Sequence, residues 1–278
     1  MEKQIFKIVK DSIINLSDDE LISLYNYWRD RNENKSSNEW IRHKDLISSE
    51  QHVPPHAYLH GVDLPYWFGE SNSPIKIMIM GIDPLRNDKT FEEFKADKVK
   101  NVLIGTPYAV HSGKMRTGRT KEYWNFIDDL ASKHFVYLTD IYKTFFYTDS
   151  SKKTRSYVYY RNAEVQHIAR YIVAKEIQVV KPDIIITLGA ETFRKFTGEK
   201  LPKKITGNII DNIVYMEEFP DVPIIPMVHL SGATFQNVKN TFLKNNLENY
   251  TVEEKPSFGL RYAEIIEQYL QTQEEKLR

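Results

Sequence analysis

The chain has 278 residues, 41% hydrophobic and 27% charged, with 38 Lys+Arg against 38 Asp+Glu, enough for one large α/β domain or two small ones around a real core. It has no cysteine, which excludes a disulfide framework, a cysteine nucleophile and a Cys-ligated zinc or iron–sulfur site, and fits a reducing, cytoplasmic location. Zero net charge gives no global electrostatic case for nucleic acid, so any basic surface has to be local.

The N-terminus, MEKQIFKIVKDSIINL, carries acids and no long apolar core, so it does not read as a secretory signal, and no run approaches the length of a membrane span. Ile5, Ile8, Val9, Ile13 and Ile14 have helical spacing. Ser17-Asp18-Asp19-Glu20 is a capping box, so a second helix starts there and runs through Leu21, Leu24, Tyr25 and Trp28. Asn32 to Asn38 is polar and reads as a linker, and Trp40 to Ile47 as a further short helix. Residues 1–50 are therefore expected to form a helical N-terminal extension and residues 51–278 the main domain. The stretch HVPPHAYLHGVDLPYWFGE has Pro, Gly and aromatics without a clear period and reads as an ordered loop. Its histidines, His52, His56 and His60, recur every four residues, but Pro54 and Pro55 argue against a helix that would make this a metal-ligand spacing. They read as surface or packing histidines.

Pro74 to Asp88, PIKIMIMGIDPLRND, is the stretch around which the chain is organised. Ile77 to Met80 is a continuous apolar run bounded by turn residues, the mark of a strand buried on both faces. Gly81 permits a tight turn or a close approach, and Pro84 keeps Asp83 extended. A carboxylate just past such a strand sits where open α/β sheets hold their ligands; taken alone, Asp83 fits a turn or helix cap better. Thr90 to Val99 follows as a short amphipathic helix, then Leu103 to Tyr108 as a turn carrying one aromatic. Thr120 to Ser132 reads as a helix with Tyr123, Phe126, Ile127 and Leu130 on its buried face. A second strand, Phe135 to Leu138, ends in Thr139-Asp140; a long helix covers Glu164 to Val180; a third strand, Ile184 to Gly189, runs into a helix at Ala190. The fourth, Pro223 to Val228, ends at His229-Leu230-Ser231-Gly232, and Ala263 to Leu270 is a closing helix. Strands alternating with helices predict an α/β fold, a three-layer sandwich around a central, mostly parallel four-stranded sheet.

Three of these strands deliver a titratable residue just past their ends, Asp83, Asp140 and His229, and in a parallel sheet such ends share one edge. At these residues the chain resembles the uracil-DNA glycosylase superfamily. Gly81-Ile82-Asp83-Pro84 matches its Gly-x-Asp-Pro motif, and His229-Leu230-Ser231 its final His-Pro-Ser. Gly105-Thr106-Pro107-Tyr108 matches the turn with a stacking aromatic; Asp140 stands at its base-reading Asn; Pro182 to Gly189 matches its Pro-Asp-x-Ile-x-x-x-Leu-Gly strand. These landmarks run in the family's order from about Pro74 to Phe242.

The resemblance implies hydrolysis of an N-glycosidic bond in DNA, with uracil or a deaminated or modified base flipped into a pocket. It implies Asp83 and His229 as the catalytic pair and Gly81, Ile82, Tyr108 and Asp140 around the base. Ser231 and Gly232 would approach a DNA phosphate. No cofactor or metal is implied, and no lysine stands at the three strand ends for a Schiff base. Alternatives on the same fold are a nucleic-acid-binding protein without catalysis and an enzyme acting on free nucleosides or nucleotides.

The departures bear on the substrate. An ionised Asp140 offers only acceptors, which suits an exocyclic amine better than uracil O4; protonated by burial, it would still donate; as a cap it would do neither. Leu85 replaces a Tyr that excludes bulky C5-substituted bases in the best-known branch, and Leu230 replaces Pro. Ala233, near the wedge position, is too small to fill a vacated stack, which leaves Phe235 or another residue for that task. From Lys143 to Lys204, 13 Lys+Arg face 6 Asp+Glu, a surplus of +7. Within it Lys143, Lys152, Lys153, Arg155 and Arg161 interleave with Phe145, Phe146, Tyr147, Tyr157, Tyr159 and Tyr160. That pattern fits a phosphate-tracking, base-stacking surface and equally a solvated loop whose aromatics pack inward.

Overall fold

The computed structural model describes residues 1–29, 39–42, 57–82, 101–118, 120–148, 163–232, 234–252 and 257–277. The expected helix at Thr90 to Val99 lies outside them, as do His52 and His56. The chain forms two compact units.

The first unit comprises Met1–Tyr66, Ile82–Gly113 and Thr139–Lys181. Helix α1 (Glu2–Ser12) buries Ile5, Phe6, Ile8 and Val9; α2 (Asp18–Arg29) buries Leu21, Leu24, Tyr25 and Trp28. The capping box forms as the sequence predicts: Ser17 N–H donates to Glu20 Oε2 at 2.8 Å, and Glu20 N–H to Ser17 Oγ at 3.2 Å. Phe6, Tyr25, Trp28 and Tyr66 form a ring cluster, and the Tyr25 hydroxyl donates to Pro65 O.

A four-stranded sheet of order β1-β5-β2-β7 completes this unit: β1 (Glu39–Arg42), β2 (Ala57–Asp63), β5 (Asn101–Gly105) and β7 (Thr144–Thr148). It corrects three expectations. Leu103 to Gly105, expected within a turn, is the end of β5 and pairs with β1 and β2. The described start of the helix expected over Trp40–Ile47 is strand, because Trp40 and Ile41 pair with Leu103 and Val102 and the ladder overrides local propensity. Part of the expected loop after His52 is β2, whose register against β7 shifts between Leu59 and Gly61. Such a bulge erases the alternation by which a strand is recognised. Helix α5 (Ala163–Val180) buries Val165, Ile172, Val173, Ile177 and Val180.

The second unit comprises Trp67–Gly81, Lys114–Leu138 and Pro182–Arg278. Its sheet is six-stranded and mixed, of order β3-β6-β4-β8-β10-β9, rather than four-stranded. The strands are β3 (Tyr66–Phe68), β4 (Lys76–Gly81), β6 (Phe135–Asp140), β8 (Ile184–Leu188), β9 (Val214–Met216) and β10 (Phe219–Met227). The four expected strands are its middle. β4 runs parallel to β8, and β8 to β10. Phe135 N–H donates to Ile75 O and Tyr142 N–H to Ile82 O, so β6 runs parallel to β4. The additional strands lie at the edges; both have three residues, too short for a periodic signal. Ile77 to Met80 and Ile184 to Leu188 are buried throughout, as continuous apolar runs require. Asp183 locks the start of the central pair: its carboxylate accepts Lys76 N–H at 2.7 Å, and its own N–H donates to Lys76 O at 2.8 Å.

Short helix α3 (Gly113–Thr117) precedes α4 (Lys121–Ala131), which buries the four residues its periodicity selects, Tyr123, Phe126, Ile127 and Leu130. Then come α6 (Ala190–Thr197), α7 (Gln236–Asn246) and α8 (Phe258–Leu277). α8 packs on α4 through Gly259, where any Cβ would overlap Glu122 O; Glu122 Oε2 accepts Gly259 N–H at 2.8 Å.

Candidate active site

In the second unit, three parallel strand ends lie along one edge of the sheet, those of β4 (Gly81), β8 (Leu188) and β10 (Met227). His229 follows the last of these by two residues. Gly189, directly after β8, has φ +101° and donates its N–H to Met227 O at 2.8 Å. A Cβ there would lie 3.3 Å from His229 Cδ2, so glycine serves both the backbone conformation and the space for the ring.

The His229 ring is held by its neighbours. Tyr123 Oη lies 2.6 Å from Nδ1 and 3.2 Å from Nε2, with the rings edge-to-face at 5.5 Å. Ser231 N–H donates to Nδ1 at 3.2 Å. Burial, with a smaller contribution from the Lys239 charge, lowers the His229 pKa from 6.5 to about 4, so the imidazole is neutral at pH 7. Lys239 is itself only 6% exposed. Its Nζ donates to Leu230 O at 3.4 Å and sits 4.9 Å over the Phe258 ring. Burial lowers its pKa, opposed by the Glu122 carboxylate. Leu230 is buried, Ser231 half-buried and Gly232 exposed with open space around its Cα. Phe235, the N-cap of α7, is 77% exposed.

In the first unit, Asp140 ends β6 and is buried. Lys143, three residues on, does not track a surface. Its Nζ donates to Glu176 Oε2 at 2.8 Å, to Asp140 O at 2.7 Å and to Thr139 Oγ1, and it is 5% exposed. Glu176 on α5 is fully buried and also accepts Thr139 Oγ1–H at 2.8 Å. Phe145 is buried too, because β7 draws it into the sheet. The basic–aromatic stretch thus begins as a structural ion pair and a strand. Lys152, Lys153, Arg155 and Arg161 lie outside the described residues, as does Asp83.

Ile82 is half-buried, and its carbonyl accepts Tyr142 N–H at 3.0 Å. Tyr108 sits in a 3₁₀ turn, Pro107–Ala109, with φ 58° and ψ 12°, and Ala109 follows with φ 52°. Two consecutive non-glycine residues in the left-handed region are strained, which structures retain chiefly where the surroundings fix a functional loop. The surroundings are identifiable. Thr106 N–H donates to His111 Nδ1 at 3.2 Å, and His111 N–H to Thr106 Oγ1 at 3.1 Å.

Of the residues singled out in the sequence, Gly81, His229, Ser231 and Gly232 fall in the second unit, and Ile82, Tyr108 and Asp140 in the first. Sequence reasoning missed Tyr123, Gly189 and Lys239 as neighbours of the histidine. Tyr123 looked like core, because the spacing that buries it is the spacing of any helix face. Lys239, in QNVKNTFLKNN, carries no signal that separates it from a surface lysine. Among the described residues, no helix is long and apolar enough to cross a membrane.

No curated protein matches the chain. A family model described as the Uracil DNA glycosylase superfamily matches residues 68–250. The matched span runs from the end of β3 past α7 and contains the ends of β4, β6, β8 and β10, and membership supports a DNA-glycosylase type of function. With more than half of its length matched, and with Gly81-Ile82-Asp83-Pro84 and His229-Leu230-Ser231 following parallel strands in the expected order, the chain belongs to the uracil-DNA glycosylase superfamily.

Proposed function

We propose that the protein hydrolyses the N-glycosidic bond of a flipped-out base in DNA, and that the base carries an exocyclic amine rather than being plain uracil. The observation that carries the first part is the neutral imidazole of His229 past the end of β10. As the C1′–N bond breaks, its electron pair leaves on the base and positive charge builds on the sugar. A neutral imidazole N–H stabilises the base's developing oxyanion without itself needing to ionise. Asp83 stabilises the oxocarbenium-like sugar and takes a proton from the water that forms the new C1′–O bond. Preorganised groups of this kind are each worth about 3 kcal/mol.

Tyr108 stacks on the flipped base, worth about 1–3 kcal/mol. Ser231 and the open Gly232 approach a phosphate, and Lys152, Lys153 and Arg155 follow the backbone. Phe235, 77% exposed at the start of the helix after the histidine loop, fills the vacated stack. Asp140, as an acceptor-only carboxylate, reads the exocyclic amine. The reaction is monofunctional. Lys143, beyond β6, is buried with its Nζ engaged by Glu176 Oε2, Thr139 Oγ1 and the Asp140 carbonyl, so its amine is not available as a Schiff-base nucleophile.

The test is base release from oligonucleotides carrying uracil, hypoxanthine, xanthine and modified cytosines, single- and double-stranded, with alkali cleavage of the abasic product. Release of an amino-bearing base, lost in Asp83→Asn and lowered about 10²–10³-fold in His229→Ala, is expected. A strong preference for uracil sinks the role of Asp140. No release from any substrate, with salt-sensitive DNA binding retained, marks a binding protein instead.

A further inference from the structure

We infer that helix α2 of the N-terminal extension sets the turn that carries Tyr108, with His111 as the positioning residue between them. The functional half of this rests on the reading of Tyr108 as the residue stacked on the flipped base; the geometry stands without it.

The turn is closed on itself. Thr106 N–H is a backbone amide and only donates, so at 3.2 Å it takes the lone pair of His111 Nδ1. His111 N–H donates in return to Thr106 Oγ1 at 3.1 Å, and that hydroxyl lies 3.0 Å from the same Nδ1. Thr106 and His111 are thereby tied together across Pro107 to Val110. Inside the loop Ala109 N–H donates to Thr106 O at 2.9 Å, and Ser112 N–H to Ala109 O at 2.9 Å. Tyr108 and Ala109, at φ 58° and 52°, would relax to ordinary backbone angles if the ends of the loop were released.

Helix α2 bears on both ends of the loop. At the closing end, the Trp28 and His111 rings lie 5.3 Å apart with their planes at 42°. Both residues are buried, and Trp28 is backed by Tyr25 at 5.3 Å and Tyr66 at 6.2 Å. At the opening end, Leu64 N–H donates to Gly105 O at 2.9 Å, and the carbonyl of the next residue, Pro65, accepts the Tyr25 hydroxyl. Tyr25 and Trp28 stand one turn apart on the same helix face, so one face of α2 reaches the residue before the loop and the residue that closes it. Packing alone does not call for a histidine here. A phenylalanine would fill the space beside Trp28 and strip the fully buried Thr106 of the acceptor for its N–H. All of these residues belong to the first unit. The loop lies inside the span matched by the family and α2 lies before it, so the aromatic comes with the family and its support comes from the extension.

The test places 3-fluorotyrosine at position 108 of the full chain and follows its ¹⁹F resonance in three variants. His111→Phe keeps a ring and removes the acceptor. His111→Asn keeps an acceptor near the Nδ1 position and removes the ring. Trp28→Phe shortens the reach of α2. In His111→Phe and Trp28→Phe the resonance is expected to shift or split, and the Thr106 amide to exchange about tenfold faster. Single-turnover base release is expected to slow about tenfold, with affinity for undamaged DNA unchanged. Combining the two changes should cost little more than His111→Phe alone, because both act through one contact. His111→Asn should recover part of the Thr106 protection and part of the rate. An unmoved resonance in both ring variants overturns the inference. A resonance moved by His111→Phe and untouched by Trp28→Phe overturns the part played by α2. If Trp28→Phe fails to fold, Tyr25→Phe, which removes only the hydroxyl on Pro65, decides instead: a moved resonance supports the role of α2 and an unmoved one refutes it. If the wild-type protein releases no base, the functional reading falls, and the resonance still decides whether α2 sets the turn.

Discussion

Lys143 and His229 each stand two or three residues beyond a buried parallel strand, and their surroundings treat them in opposite ways. In the first unit, Lys143 beyond β6 meets Glu176, Thr139 and the carbonyl of Asp140, so its charge is matched on every side. In the second, His229 beyond β10 meets the Tyr123 hydroxyl, the Ser231 N–H and the Lys239 charge, and among the described residues no carboxylate stands among the influences on it. A charge closed off by its counter-charge is architecture. A ring kept neutral by burial and a nearby cation keeps one N–H free to donate. Position past a strand end does not separate the two cases; the sign of the neighbours does.

The largest effect comes from breaking the structural member of the pair. Glu176→Gln leaves Lys143 charged and buried, and is expected to lower stability by about 3–5 kcal/mol in urea unfolding. The double change Lys143→Met with Glu176→Leu removes both charges and should recover most of that loss. His229→Ala has the opposite profile. Base release falls about 10²–10³-fold, about 2.7–4 kcal/mol, while the unfolding midpoint moves far less than in Glu176→Gln.

Acid separates the two further. The folded His229 takes its proton only near pH 4, whereas the unfolded chain takes it near 6.5. Between those values the unfolded state binds more protons, so stability declines as pH falls through that window and levels off below it. His229→Gln should flatten that part of the stability profile, and wild-type base release should not drop at pH 6.5. The smallest effect is expected at the start of α2. Ser17→Ala removes the N-cap of α2 and costs about 1 kcal/mol, with base release unchanged.

The parallel middle of the six-stranded sheet was legible because strands buried on both faces have to be continuous apolar runs, and Ile77 to Met80 and Ile184 to Leu188 are such runs. α4 was legible down to its four buried residues. The bulged β2, the strand at Trp40 and the three-residue edges were not, since their stability comes from ladder partners distant in sequence. The same division holds at the candidate site. His229 announces itself by chemistry and position. Tyr123 is 106 residues away and announces only that it is buried. Lys143 carried a misleading signal: five basic residues among aromatics suggest a surface, yet the first of them is claimed by a glutamate 33 residues on.

Gly259 lies beyond residue 250, where the family match stops, yet α8 bears on the helix that carries Tyr123 through this one missing side chain. The inherited domain and the cooperative unit therefore end at different places. A chain cut at the family boundary would keep every motif by which it is recognised and lose the helix that packs on α4.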